Sequence, residues 1–227
     1  MNIDMTQGPA VKSMLRFALP MILGNLLQQC YNIADTLIVG RFLGRDALAA
    51  VGSSFTLMTF LTSILLGLCM GSGTFISMRF GEGDEKGLKE GICASFALIA
   101  SLTVILNFLI FLFLGKIKVF LQVPDEVWFP MRSYLILIFC GIIATFLYNY
   151  FASLLRALGN SLVPLVFLAI SALLNIALDL WFVIGLKWGT AGAAGATVAA
   201  QYVSGIGIAL YCLIRVPCMR LKKDELR

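Results

Sequence analysis

The sequence predicts an all-α membrane protein of six transmembrane helices, and three observations predict it. Hydrophobic residues make up 60% of the chain, charged residues only 13%, and histidine is absent. Mean hydropathy is +0.95. Six mainly apolar runs, each near the roughly 20 residues that a spanning helix needs, are separated by short charged or glycine-rich breaks. The runs lie at residues 15–39, 47–73, 91–114, 131–155, 162–185 and 192–214. The chain therefore divides into a cytoplasmic N-terminal segment at 1–14, a six-helix unit at 15–214 and a cytoplasmic tail at 215–227, which reads as the start of a linker.

The first run, LRFALPMILGNLLQQCYNIADTLIV, is the most informative. Asp35 lies deep inside it, and an aspartate near the middle of a membrane helix costs about 3 kcal/mol on insertion scales. Asn25, Gln28, Asn32 and Asp35 follow at steps of three, four and three, so all four share one face of a helix. That face must look into a protein interior or a water-filled cavity. Pro20 removes one hydrogen bond from the ladder and offers a place to bend. The run is too long and too polar for the core of a signal peptide and reads as retained.

The second and third runs are more uniformly apolar. Between runs three and four, KVFLQVPDEVWFPM carries Trp128 and Phe129 beside Asp125, Glu126 and two prolines, a composition that predicts a segment lying along the outer interface. The fourth run brings Tyr148 and Asn149. In the fifth, Ser171, Asn175 and Asp179 are spaced by four and share a face, which supplies a second intramembrane carboxylate. The sixth, GAAGATVAAQYVSGIGIAL, is dominated by small side chains that let helices approach closely in lipid. It adds Thr197, Gln201 and Ser204 at helical steps. Three polar stripes on three spans can converge on one interior site, whereas Ser171 or Gln201 taken singly reads as interhelical glue.

Orientation follows from the basic residues. With the N-terminus inside, eleven of the 17 lysines and arginines (Lys12, Arg16, Arg79, Lys86, Lys89, Arg156, Arg215, Arg220, Lys222, Lys223 and Arg227) are cytoplasmic. Both termini are accordingly placed in the cytoplasm, with the net charge of +5 as a topology signal and not as a nucleic-acid footprint. The six cysteines form no CxxC pair and imply neither disulfide nor metal. No histidine is present, and no serine or cysteine stands in a nucleophile setting, so an enzyme is not expected. An intramembrane aspartyl protease is not expected either, since Ala177 and Leu178 precede Asp179 where such enzymes carry a glycine motif.

Two buried carboxylates can act in two ways. If they sit close, ionising one opposes ionising the other, and the pair shares a proton. Alternatively, Asp35, Asn175, Asp179 and Thr197 offer only hard oxygen ligands, a set suited to Na⁺. Either cation would neutralise the cavity and shift its preferred conformation. Hydrophobic walls with a few polar anchors suit amphipathic small molecules, with Tyr148 and Asn149 among the candidates.

Along nearly its whole length the chain resembles the N-terminal half of a multidrug and toxic compound extrusion (MATE) transporter. Pro20 and Asp35 with ADTLIVGRFLGRDALAAVG, YFASLLRALGNSLVP, and LLNIALDLWFVIG followed by WGTAGAAGATVAAQ carry the resemblance together. It implies one six-helix lobe of a cation-coupled antiporter that exports bulky, often cationic amphipathic compounds from the cell across its plasma (inner) membrane. It further implies that Asp35, Asn175, Asp179 and Thr197 form an H⁺ or Na⁺ coupling site and that the bend at Pro20 answers to protonation, with no other cofactor. Such transporters have two lobes, so the expected partner is a missing C-terminal lobe or a second copy in a parallel homodimer. A lipid flippase of related fold is the alternative, although its anionic cargo calls for more lysine and arginine within the spans.

Overall fold

The computed structural model describes residues 10–120 and 123–219, and helices account for almost all of them. In chain order these are α1 (Ala10–Phe42), α2 (Arg45–Glu82), α3 (Glu85–Phe120), α4 (Asp125–Cys140), α5 (Ile142–Ala157), α6 (Leu162–Asp179) and α7 (Gly189–Arg215). A π-helical turn, Leu180–Gly185, continues α6, and a 3₁₀ turn, Pro217–Met219, follows α7. In lipid a backbone must satisfy its own hydrogen bonds, and helices of this apolar composition do so within each segment. Tight reversals join the first three. At the end of α2, Gly83 adopts φ 71°, a left-handed conformation, and the following amide of Asp84 returns to the Arg79 carbonyl at 3.2 Å.

By length and apolar content, α2, α3, α6 with its π turn, and α7 can each cross a membrane. The pair α4 and α5, bent by 43° across Gly141, makes a fifth. α1 is long enough at 33 residues but falls below the same apolar measure. The physical reason is its polar stripe, since Asn25, Gln28, Gln29, Asn32 and Asp35 dilute an otherwise apolar helix. The six-span expectation is therefore met by four or five helices on this criterion, with α1 as a helix of mixed character.

The helix α1 begins at Ala10, ahead of the first apolar run, and residues 1–9 and 220–227 lie outside the described residues. The stretch holding Trp128 and Phe129 is no separate interfacial segment but the start of α4. Pro124 precedes the helix with φ −57°, a value suited to a helix start, and the carbonyl of Pro130 accepts a bond from Thr190 Oγ1 of α7 at 3.2 Å. Lys118 at the end of α3 ion-pairs with Asp125 across the connection. That bond and its charge hold the exposed Asp125 carboxyl below the usual carboxylate range.

α7 packs against α4, α5 and α6, while α1 lies mainly along α6 and α2 contacts α3, α4 and α5. Small residues permit the closest approach, for a Cβ on Gly205 of α7 would meet the Ala144 carbonyl oxygen at 2.6 Å. The larger apolar cluster joins α2, α3, α5 and α7 around Leu65, Ile76, Ile99, Tyr150 and Ile208. Tyr150 Oη donates to the Ile92 carbonyl at 2.7 Å, and Ser153 Oγ to that of Cys69 at 2.7 Å. A smaller cluster of Ile38, Val39, Tyr134, Ile138, Val183, Ala193 and Ala194 gathers α1, α4, the π turn and α7.

Candidate functional site

The aspartates at opposite ends of the sequence argument meet. Asp35 comes from the last third of α1 and Asp179 from the final α-helical position of α6, and the two carboxyl groups are near enough for each to feel the other. Asp179 is completely buried. Neither of its oxygens, nor Asp35 Oδ1, receives a bond from another group among the described residues. A carboxylate has no proton to donate, so two of them near one another without another donor call for a proton or a cation between them.

One helical turn before Asp179, buried Asn175 donates from Nδ2 to Thr197 Oγ1 of α7 at 3.1 Å. Its Oδ1 is buried and unpartnered. Oxygen atoms of Asp35, Asn175 and Asp179 are thus left without donors in one region, and Thr197 is tied to the same region through Asn175. Among neutral amides and hydroxyls such orphans are uncommon in a protein interior. The geometry can hold a hard cation or a shared proton.

Next to this region opens a cavity of about 390 Å³ between α1, α2, α4, α5, α6 and α7. Asn175 and Thr197 line it, whereas Asp35 and Asp179 do not and sit beyond them. The other predicted residues all border it: Pro20, Asn25, Gln28 and Asn32 on α1, Tyr148 and Asn149 on α5, and Gln201 on α7. α1 continues as one helix through Pro20. Tyr148 Oη donates to the Pro164 carbonyl at 3.1 Å and Asn149 Nδ2 to that of Thr145 at 2.8 Å. Ser171 Oγ bonds the Ala200 carbonyl at 3.1 Å across the α6–α7 contact, the gluing role read for it from the sequence.

Some residues were not singled out from the sequence. Tyr31 stands one turn before Asp35 and feels its charge, and Tyr134 of α4 feels both carboxylates. The four-residue step from Tyr31 to Asp35 was a usable signal, but the position of Tyr134 depends on how α4 packs. Arg156 and Ser161 also border the cavity. From the sequence Arg156 reads only as a topology charge.

A helical bundle with apolar outer faces, a lined cavity and an interior carboxylate pair defines a membrane protein of the transporter type. The MatE family model matches residues 20–181, and the chain belongs to this family of multidrug efflux transporters. It is 35% identical over 202 residues to the probable multidrug resistance protein YpnP of Bacillus subtilis, covering 88% of this chain and 45% of that protein. Against the probable multidrug resistance protein NorM of Thermotoga maritima the identity is 28% over 216 residues, covering 93% of this chain and 46% of the relative. A solved multidrug resistance MATE family transporter of the MOP superfamily, in an outward-facing conformation, superposes with a TM-score of 0.88 at 25% identity. That likeness covers 95% of this chain and 48% of the solved one. The chain spans about half the length of the curated relatives it matches.

Proposed function

We propose that this chain forms one six-helix lobe of a cation-coupled antiporter that exports amphipathic, often cationic compounds, with both termini in the cytoplasm. α1 is the sixth span in this reading, tolerated in lipid because its polar stripe faces the cavity and the carboxylate pair. The observation that carries the proposal is the pairing of Asp35 with Asp179, three of whose four carboxyl oxygens lack donors among the described residues inside an apolar bundle. Asn175 and Thr197 border both the pair and the cavity, so occupancy by a coupling cation can be felt by cargo.

Coupling then works as an exchange. With the pair empty of cation, charge repulsion and unsatisfied oxygens favour an arrangement that opens the region to water. H⁺ or Na⁺ removes that repulsion and favours closure of α1 on α6, while Pro20 supplies a weak point in the α1 ladder. Cargo binds best in one arrangement and leaves in the other.

Gradient-driven efflux of ethidium from cells carrying the chain with its second lobe tests this. Asp35→Asn, which keeps the shape and removes the charge, is expected to reduce efflux to background while the protein still reaches the membrane. Wild-type efflux from Asp35→Asn would sink the assignment. The related-fold lipid flippase is not favoured by the relatives found.

A further inference from the structure

At the other end of the cavity the charge is reversed. Arg156, half-buried near the end of α5, lines the wall beside Tyr148, and its guanidinium is close enough for the Tyr148 hydroxyl to feel its charge. Among the described residues no carboxylate lies within ion-pair distance of Arg156. Ser161, five residues on, occupies the N-cap position of α6 without a side-chain capping bond, the Val163 amide being bonded by Asn160 Oδ1 instead, and it also lines the cavity. It is 4% exposed, and its Oγ has no hydrogen-bond partner. A guanidinium with no carboxylate in ion-pair range among the described residues, a buried hydroxyl without a partner and the N-terminal end of an 18-residue helix thus border the same cavity.

Each of these features asks for the same chemistry. A guanidinium offers a planar fork matched to two oxygens of a phosphate or carboxylate, and a hydroxyl can donate to a third contact. An arginine kept only to fix topology would extend into water or pair with one of the many acidic residues at loop ends. This one borders a cavity whose other walls are apolar side chains, amides and hydroxyls and hold no carboxylate. Along α6 the helix start lies about 25 Å from the Asp35–Asp179 pair, so the two charged regions are separate sites.

We propose that Arg156 and Ser161, beside the start of α6, form a subsite for the oxyanion group of an amphipathic guest, whose apolar body lies along the cavity wall. The guest is either an exported molecule carrying a phosphate or carboxylate, or an acidic lipid whose headgroup enters from the bilayer. The inference extends the cargo-path reading of the cavity, but binding can be measured without transport, so its failure is separable from failure of export.

The test is fluorescence binding of a labelled lysophosphatidic acid and its uncharged monoacylglycerol counterpart to the purified native protein in neutral detergent. The wild type is expected to prefer the phosphate probe by about tenfold, the scale of charge-assisted hydrogen bonding. Arg156→Gln should erase that preference while leaving affinity for the monoacylglycerol unchanged, and Ser161→Ala should weaken it in part. If Arg156→Gln does not fold, Arg156→Lys replaces it, retaining charge without the fork and giving an intermediate preference. Lys86→Gln, which removes an exposed charge elsewhere, should change nothing. Equal binding of both probes by the wild type, or a preference that survives Arg156→Gln, overturns the proposal. Competition in nanodiscs assigns the source: displacement by phosphatidylglycerol identifies lipid, and persistence identifies a transported guest, either of which upholds the site.

Discussion

Asn175 is the residue at which the proposed ligand role and a plain packing role predict different outcomes. Its Nδ2 is satisfied by Thr197, but its Oδ1 is buried without a donor, an arrangement that weakens the fold unless something occupies it. Asn175→Leu removes the orphan oxygen along with the bond. The resting protein is therefore expected to lose no more than about 1 kcal/mol of stability, while its cation response disappears. Thermal unfolding with and without Na⁺, and across pH, checks this. The wild type should be stabilised by its coupling cation and Asn175→Leu should not. At this scale the aspartates were legible because a charge inside an apolar run is anomalous whatever the fold. Asn175 and Thr197 were nameable only through spacing and resemblance, since amides and hydroxyls also glue helices together. Tyr134 and Ser161 were not legible, because a tyrosine in an apolar helix and a serine at a helix start carry no signal until their neighbours are known.

Among the helices, the contact between α5 and α7 sets the tolerance for change. Gly205→Ala would place a methyl 2.6 Å from the backbone oxygen of Ala144, which cannot rotate away. It is expected to destabilise the protein by about 1–3 kcal/mol, as overpacking does. Gly67→Ala in α2, where nothing lies within 4 Å, should be neutral or slightly stabilising. Denaturant unfolding in detergent compares the two. Helices and their order were readable from apolar runs and breaks, and the small-residue pattern of the last run correctly pointed to close packing. The bend at Gly141 is hidden because residues 131–155 read as one mainly apolar run with no charge or proline near the bend, and the π turn after Asp179 because LWFVIG looks like any membrane helix. The start of α4 was misread because aromatic and acidic residues beside prolines fit an interface as well as they fit a first helical turn.

On the scale of the whole molecule, the proposed antiporter needs a second lobe to complete the path for its cargo. Export is expected to require two lobes, joined on one polypeptide or paired as two copies, with a protein mass of roughly 49 kDa, twice the 24.7 kDa of this chain. Intact-mass analysis and native mass spectrometry of the protein from its membrane distinguish the two arrangements. Export by an isolated 24.7 kDa unit would overturn the requirement. The opposed charges at the two ends of α6 have an electrical consequence. That helix, about 27 Å long, is nearly as long as the hydrocarbon core is thick, so carboxylates at one end and a guanidinium at the other make a dipole lying across the bilayer. A full charge carried through the membrane field is worth about 2.3 kcal/mol per 100 mV. If the proposed exchange between arrangements moves either charge through that field, its balance should shift with voltage at fixed cation concentration, and a sudden voltage step should draw a brief displacement current before any cargo moves.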